Sequence, residues 1–421
     1  MFFEEMTWRG LVEEATPGLV EALEEGRVTG YIGFDPTASS LHVGSLLPIL
    51  NLARLQRAGH RPIAIAGGGT GLIGDPSGKT DERQLLSVEQ VQANLAGIGE
   101  QLSRFLDFTP GATQAILVDN ADWLRELKLM EFLRDIGKHF SVNQMIARES
   151  VKRRLASESG ISFTEFSYAL LQAYDFLELY DRYGCTLQMG GSDQWGNILS
   201  GADLIRRLRN ARAHGLVSPL ITNAAGTKFG KTEAGTVWLD AERTSPYSFY
   251  QFWLNTGDDD AVRYLRYFTF LGREEIEALA EETRRAPEER LAQRRLADEV
   301  TRTTHGAEAL ARAQRVSDLL FGRETAALEA DDLLRGFGDA PSSALPAADL
   351  AAGVPLSQLL AGTGLASSKN EARRLIAGGG VYVNERRAEG DAAIGTADAI
   401  EGRALLLRKG KKQYHLVRVE G

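Results

Sequence analysis

Five times in its first 232 residues the chain repeats one arrangement: a short apolar run, then a polar or glycine-rich turn, usually with a helical pattern after it. The runs fall at 30–34, 62–66, 115–118, 186–189 and 216–222. The turns read DPTASSLHVGS, GGGTGLIGDPSGK, DNADW, GGSDQWGN and NAAGTKFGKT. Between runs lie patterns such as 46–58, closed by Gly59 as a C-cap. Strands alternating with helices predict an α/β fold with a parallel sheet covered on both faces. Such sheets bind ligands beyond the carboxyl ends of their strands. One packed core has no need of five such turns, so the turns are expected to form a site.

The rest of the chain reads differently. An amphipathic helical stretch runs over 245–325, and an Ala/Asp/Gly/Pro-rich stretch over 326–353 reads as a linker. A last segment, 354–421, turns from helix to strand and predicts a small α+β domain. Charge divides the same way. Residues 354–421 hold 11 Lys/Arg against 7 Asp/Glu, a net +4, and the preceding residues hold 37 against 50, a net −13. A basic module on an acidic body suits a polyanionic partner. No apolar run reaches the roughly 18 residues of a membrane span. The acidic start, MFFEEMTWRG, does not read as a secretory leader. The single cysteine, Cys185, allows no disulfide framework and no Cys-cluster metal site, and a cytoplasmic location is expected.

Two glycine-rich stretches mislead. GTGLIG (Gly69, Gly71, Gly74) has dinucleotide-motif spacing, but Asp75-Pro76 interrupts the helix that motif needs. GDPSGKT ends like a phosphate loop, yet its first glycine, Gly74, is one position out of register. Lys79 and Arg83 can still serve as mobile cations toward phosphates. More telling is His42-Val43-Gly44-Ser45 at a predicted helix start. Helix N-termini present unpaired N–H groups and partial positive charge, which suits an anion. Glycine admits a flat ligand close to the backbone, and imidazole can donate to a phosphate oxygen. Pro48 is expected near the first turn, where its missing N–H costs little. Lys228-Phe229-Gly230-Lys231-Thr232 places two lysines around a glycine, suited to charge that moves during a reaction.

These two stretches resemble the His-Ile-Gly-His and Lys-Met-Ser-Lys-Ser signatures of class I aminoacyl-tRNA synthetases. YIGFDPTASSLHVGSL, GKHFSVNQM, SFTEFSYALLQAYDF and GGSDQWGNI resemble the bacterial tyrosyl-tRNA synthetases almost end to end. The resemblance implies a Rossmann-like catalytic domain over 1–244, a helical tRNA-binding domain over 245–325 and a small RNA-binding domain over 354–421. It also implies that ATP and L-tyrosine form tyrosyl-adenylate and pyrophosphate, and that tyrosine then passes to tRNA(Tyr). Mg²⁺ is expected with the triphosphate, and a homodimer is implied through the segment around Phe163. The tyrosine carboxylate attacks the α-phosphate in line, so positioning and charge stabilisation supply the catalysis.

By this resemblance, His42, Thr37, Lys228, Lys231 and Thr232 serve the triphosphate. Gly33, Asp35, Gly44, Gly191 and Asp193 line the nucleotide site, with Asp193 on the ribose. Ser45 stands where the family usually has a second histidine, and Ile32 where relatives can carry a polar ribose contact. In 163–180, an almost wholly apolar helix, Tyr168, Gln172 and Asp175 share one polar face. A polar stripe on a buried helix needs partners, in a structural network or in a ligand. The resemblance assigns Asp175 and Tyr31 to the substrate phenol, Tyr168, Gln172 and Asp75 to its ammonium, and Gln194 to its carboxylate. Phenylalanine would leave those buried groups unpaired, the effect for which this family is itself the usual example, so no editing domain is required.

Arg148, Lys152, Arg153 and Arg154, with Arg206, Arg207, Arg209 and Arg212, are basic clusters on an acidic body. They are candidate tRNA acceptor-arm contacts, although solvated helix faces read the same way. Lys369, Arg373 and Arg374, with Lys409, Lys411 and Lys412, are the candidates in the last module. Two other readings stay open at this point: a nucleotidyl-transfer enzyme of the same fold without a tRNA role, and a catalytically dead RNA-binding protein.

Overall fold

A computed structural model describes residues 1–75, 87–157, 160–222, 229–232, 235–320, 330, 333–334, 341–410 and 413–421, with the side chains of 149, 150, 231, 232, 319 and 320 left out. Two compact units emerge, Met1–Leu239 with Gly257–Glu288, and Asp240–Thr256 with Glu289–Gly421.

The first unit is built on a six-stranded sheet: β1 (Glu14–Ala15), β2 (Thr29–Phe34), β3 (Arg61–Ala66), β4 (Ile116–Asp119), β5 (Cys185–Gly191) and β6 (His214–Ser218). Its order is β1-β6-β5-β2-β3-β4, all parallel except the short β1 on the β6 edge. The chain builds outward from β2 through β3 to β4, then returns to lay β5 and β6 on the other side of β2. Strand order therefore reverses between β2 and β5, the place where parallel sheets open a crevice beyond their carboxyl ends. The five predicted strands are all present. The last ends at Ser218 rather than 222, because Pro219 has no N–H for a ladder.

Helices Val43–Arg57, Phe163–Tyr183 and Trp195–Arg209 carry the residues that meet the crevice. Ser162 Oγ caps Phe163–Tyr183 by accepting from Glu165 N at 3.2 Å, and Gly184 closes it at φ 62°, where a side chain would be strained. Helix Val43–Arg57 begins three residues earlier than its apolar pattern suggests. Pro48 therefore sits in the second turn, not the first, and withholds the helical donor that the Gly44 carbonyl would otherwise receive.

The segment Gly257–Glu288 belongs to this unit and not to the helical stretch that flanks it in sequence. Two buried arginines explain why. Arg9 donates to the carbonyls of Arg266, Thr269 and Leu271, and Arg54 to those of Tyr267 and Thr269. They satisfy carbonyls of the last turn of helix Asp258–Phe268, which have no helical partner, and of the residues just past its end. Full burial, aided by the nearby Arg9 charge, pulls Arg54 down to about 9.

In the second unit, helices Pro246–Leu254, Leu291–His305 and Ala307–Leu320 precede a five-stranded sheet. Of the stretch expected as a linker, the described residues 341–353 are structured and Ala330 and Leu333 are buried. Strand Ser342–Pro346 pairs in parallel with Gln413–Glu420, from Leu416↔Ser342 to Glu420↔Pro346. Ala330 and Leu333 are buried in a cluster with Val316, Leu406 and Leu416. The predicted boundary at 353/354 thus cuts through one packed body. Alternation over SSALP was the missed strand signal, hidden by the Ala/Pro composition around it.

Candidate active site

Beyond the carboxyl ends of β2, β3 and β5 lies a cavity of about 320 Å³. Its floor is set by Tyr31 from β2 and Asp175 from helix Phe163–Tyr183, both buried. Asp175 accepts from Asn120 Nδ2 at 2.9 Å and from Trp123 Nε1 at 2.7 Å. Burial pushes its carboxyl up to about 7, with those two donors opposing the shift. The hydroxyl of Tyr31 is buried with no hydrogen-bond partner among the described residues. Burial first, then the nearby Asp175 carboxylate, hold its phenol well above its usual range. A buried polar group without a partner is costly, so this end of the cavity is built for a ligand with a hydroxyl.

Asn120 ties the floor to the β3 turn. Its Oδ1 accepts from Gly69 N at 2.7 Å and its Nδ2 also reaches Thr70 Oγ1 at 2.9 Å. The GTGLIG stretch forms a 3₁₀ turn at Thr70–Leu72 and no dinucleotide helix. Along the cavity wall, Gln172 Nε2 donates to Gln194 Oε1 at 3.1 Å, and Gln194 Nε2 to Asp75 Oδ2 at 2.8 Å. Tyr168 lines the same wall. Three amino acid side chains that sequence spacing had set on one helix face, Tyr168, Gln172 and Asp175, all point into one space.

The mouth is formed by the start of helix Val43–Arg57. His42 is its N-cap, and the ring Nδ1 accepts from Gly44 N at 3.0 Å. An accepting Nδ1 places the ring proton on Nε2, so the other nitrogen is the donor. A Cβ at Gly44 would lie 2.7 Å from His42 Cε1, so the glycine admits the capping ring as well as any ligand. The second signature stretch comes to the same place. Val237 N donates to Gly230 O and Val43 N to Val237 O. Gly230 has φ +84°, and a Cβ there would meet Val43 Cγ2 at 2.7 Å. Phe229 anchors the loop by stacking on Phe268, with centroids 5.2 Å apart, and by an edge contact with Tyr264.

A family model for class I tRNA synthetases (W and Y) matches residues 23–322. Another, for the tyrosine–tRNA ligase SYY-like C-terminal domain, matches 332–417. The tyrosine–tRNA ligase of Roseiflexus castenholzii is 58% identical, with 99% of each chain covered. The chain belongs to the tyrosine–tRNA ligases. That of Geobacillus stearothermophilus is 56% identical over 98% of each chain. Among solved structures, a C-terminally truncated mitochondrial tyrosyl-tRNA synthetase of Aspergillus nidulans superposes with a TM-score of 0.69 at 32% identity, covering 76% of this chain and 94% of that one. As a tyrosine–tRNA ligase, the chain uses ATP to activate tyrosine and charges tRNA, and the readings without a tRNA role or without catalysis fall away.

The ligase cavity is lined by Tyr31, Ile32, Gly33, Asp35, Thr37, His42, Gly44, Ser45, Asp75, Tyr168, Gln172, Asp175, Gly191 and Gln194. Asp193 stands just outside this lining. A Cβ at Gly191 would meet its Oδ1 at 2.7 Å. Lys79, Arg83 and Lys228 lie outside the described residues, as do the side chains of Lys231 and Thr232. Asn120, Trp123, Thr70 and Gln188 belong to the cavity or its supports although sequence reasoning gave them no role. The signal for the first two was the DNADW turn itself.

The basic candidates divide. Lys152 and Arg153 are exposed, whereas Arg154 is buried in a two-pronged pair with Glu165 at 2.7 and 2.9 Å. Arg154 therefore holds helix Glu149–Leu155 to Phe163–Tyr183 and is unavailable to RNA. Arg206 and Arg207 both pair with Asp203, and Arg209 with Asp181. In the second unit, Lys369 donates to Gln358, Arg373 pairs with Asp391 and Lys409 with Glu371. Arg374 is exposed.

Proposed function

We propose that tyrosine lies with its phenol between Tyr31 Oη and Asp175 and its ammonium against Tyr168, Gln172 and Asp75. The single observation behind this is the buried Asp175 carboxylate beside the unpartnered Tyr31 hydroxyl. Gln194 orients the substrate carboxylate toward the α-phosphate. ATP sits over Gly33, Asp35, Gly44 and Gly191, with Asp193 at its ribose and Thr37 toward its γ-phosphate. His42 donates from Nε2 to the triphosphate, and Ser45 adds a shorter hydroxyl donor. Lys228, Lys231 and Thr232, with Lys79 and Arg83, act where charge builds on the leaving pyrophosphate. Among the described residues no group of three His, Cys, Asp or Glu comes together. Mg²⁺ would arrive on the phosphates of ATP. Tyrosine-dependent exchange of pyrophosphate into ATP tests the activation half, and charging of tRNA(Tyr) tests the transfer half. Exchange supported equally by phenylalanine would overturn the pocket assignment.

The tRNA contacts proposed are Lys152, Arg153, Arg206 and Arg207 on the first unit and Lys369, Arg373 and Arg374 on the second. A cytoplasmic enzyme is the matching setting, and no helix among the described residues is long and apolar enough to cross a membrane.

A homodimer is part of the same reading. Within 129–163 the chain leaves Leu129, Met130, Leu133, Val142, Ile146 and Phe163 exposed, Phe163 to 78%. Large exposed apolar groups gathered in one segment mark an interaction surface. Phe163→Asp places a charge where a partner would exclude water. It should raise the dimer dissociation constant by at least about 10²-fold, the equivalent of a few kcal/mol for a desolvated charge. Sedimentation equilibrium checks this, and circular dichroism should stay unchanged. An unaltered dimer would move the interface elsewhere.

A further inference from the structure

Arg148, expected from sequence to meet RNA, is turned toward the protein instead. Its Nη1 donates to Asn197 Oδ1 at 3.3 Å, and its Nη2 donates to Ser200 Oγ. Ser200 spends its own proton on the Gly196 carbonyl at 2.8 Å, so toward Arg148 it is an acceptor. From Asn197 the chain of hydrogen bonds continues inward. Asn197 Nδ2 donates to Gln172 Oε1 at 3.0 Å, and Gln172 Nε2 donates to Gln194 Oε1 at 3.1 Å. Gln194 Nε2 then donates to Asp75 Oδ2 at 2.8 Å. Asn197 is itself buried, so its amide cannot be reoriented freely by water.

The two ends of this chain decide its direction. A guanidinium can only donate and a carboxylate can only accept. Arg148 therefore holds the oxygen of Asn197 outward and its NH₂ inward. That NH₂ fixes the oxygen of Gln172, and the same rule carries through Gln194 to Asp75. An amide has near-equal shape either way round, so only partners settle which end faces a ligand. Reversing Gln172 would set its NH₂ against the Asn197 NH₂ and its oxygen against the Gln194 oxygen, so two hydrogen bonds of the relay would be lost at once. The two cavity amides, Gln172 and Gln194, thus keep these orientations only while the outer donor is in place.

We propose that Arg148 is a positioning residue for tyrosine, acting through Asn197 to fix the amide orientation of Gln172 and Gln194. This rests on the reading that Gln172 and Asp75 meet the substrate ammonium. It also takes Arg148 out of the set of tRNA contacts.

The test is pyrophosphate exchange in the absence of tRNA, with KM for tyrosine, KM for ATP and kcat measured separately. Arg148→Met keeps the length and removes the donors. It should raise KM for tyrosine about tenfold, the size expected for one hydrogen bond from a charged group. KM for ATP and kcat should stay within about twofold, since the loss is of uniform tyrosine binding. Arg148→Lys keeps a cationic donor at the head of the chain and should recover KM to within about threefold of wild type. Asn197→Ala should match Arg148→Met, and the double variant should be no worse than either, because the two act in series. An unchanged tyrosine KM in Arg148→Met with a raised KM for tRNA would assign the residue to RNA and overturn the proposal. Additive effects in the double variant would overturn it too, as would a fall in kcat with a rise in both KM values that tracks a lowered Tm. Gln172→Ala separates the two levels of the reading. If it leaves tyrosine binding unchanged, the ammonium site itself is misplaced; if it weakens tyrosine while Arg148→Met does not, only the relay fails.

Discussion

Replacing Asp175 by alanine is expected to lower kcat/KM for tyrosine in pyrophosphate exchange by about 10²- to 10³-fold, while KM for ATP changes little. The substrate phenol loses a charged acceptor, worth about 1.5–3 kcal/mol, and the Tyr31 hydroxyl stays buried without its proposed partner, at about 1 kcal/mol or more. The same substitution strands Trp123 Nε1 and Asn120 Nδ2, which now donate to the carboxylate at 2.7 and 2.9 Å. Some stability must therefore go with it, on the order of 1–3 kcal/mol, but not the fold of a 421-residue chain. Asp175→Asn separates the two effects because it keeps the shape and one acceptor. The pH dependence gives a second readout. With its carboxyl pushed up to about 7, Asp175 in the free enzyme is half-protonated near neutrality. A phenol donating to it favours the ionised form, so tyrosine affinity should fall as pH drops through 7, and Asp175→Asn should abolish that slope. Stability runs the opposite way. A folded value above the unfolded one means the contribution is present at low pH and is lost as pH rises toward 7. Normal tyrosine activation by Asp175→Ala would sink the assignment of the phenol to this end of the cavity.

The parts of this molecule that were legible in the sequence are those written in short range. Strands β2 to β6 announced themselves as apolar runs ended by turn residues, and a helix period put Tyr168, Gln172 and Asp175 on one face. What escaped was fixed by long-range partners. Asn120 and Trp123 matter because Asp175, more than 50 residues away, needs donors. Arg154 looked like any surface cation until Glu165 appeared opposite it in the interior. Pro48 was placed a turn too early because the apolar stripe of helix Val43–Arg57 starts later than its backbone, which begins at the His42 cap. A stripe reports burial, whereas a cap reports where hydrogen bonding begins. The false linker failed for a related reason. Ala, Ser and Pro carry a weak strand signal of their own, and Ser342–Pro346 becomes a strand only against Gln413–Glu420.

That strand pairing changes where the C-terminal module can be removed. A cut at Val354 would leave Ser342–Pro346 without the strand beside it and would uncover Val316, Ala330 and Leu333. Such a protein should aggregate for reasons unrelated to RNA. A cut after residue 322 falls between the two family matches, 23–322 and 332–417, and removes the paired strands together with Ala330 and Leu333, so that of this cluster only Val316 and the partly buried Tyr247 are newly uncovered. Every residue lining the cavity belongs to the first unit, so this truncated chain should exchange pyrophosphate at within about threefold of the full-length rate if the sites are independent. Charging of tRNA should fall by roughly 10²-fold or more at physiological salt, because phosphate contacts dominate such affinities. The loss is smaller than a count of 11 Lys/Arg in 354–421 suggests, since Arg408 and Lys409 are already held in part-buried ion pairs. Each phosphate contact removed should flatten the log–log salt dependence of tRNA binding by about 0.7–0.9. Intact charging with an unchanged slope would mean the module is no RNA anchor. Collapse of exchange as well would mean that the first unit depends on the second for its own active conformation.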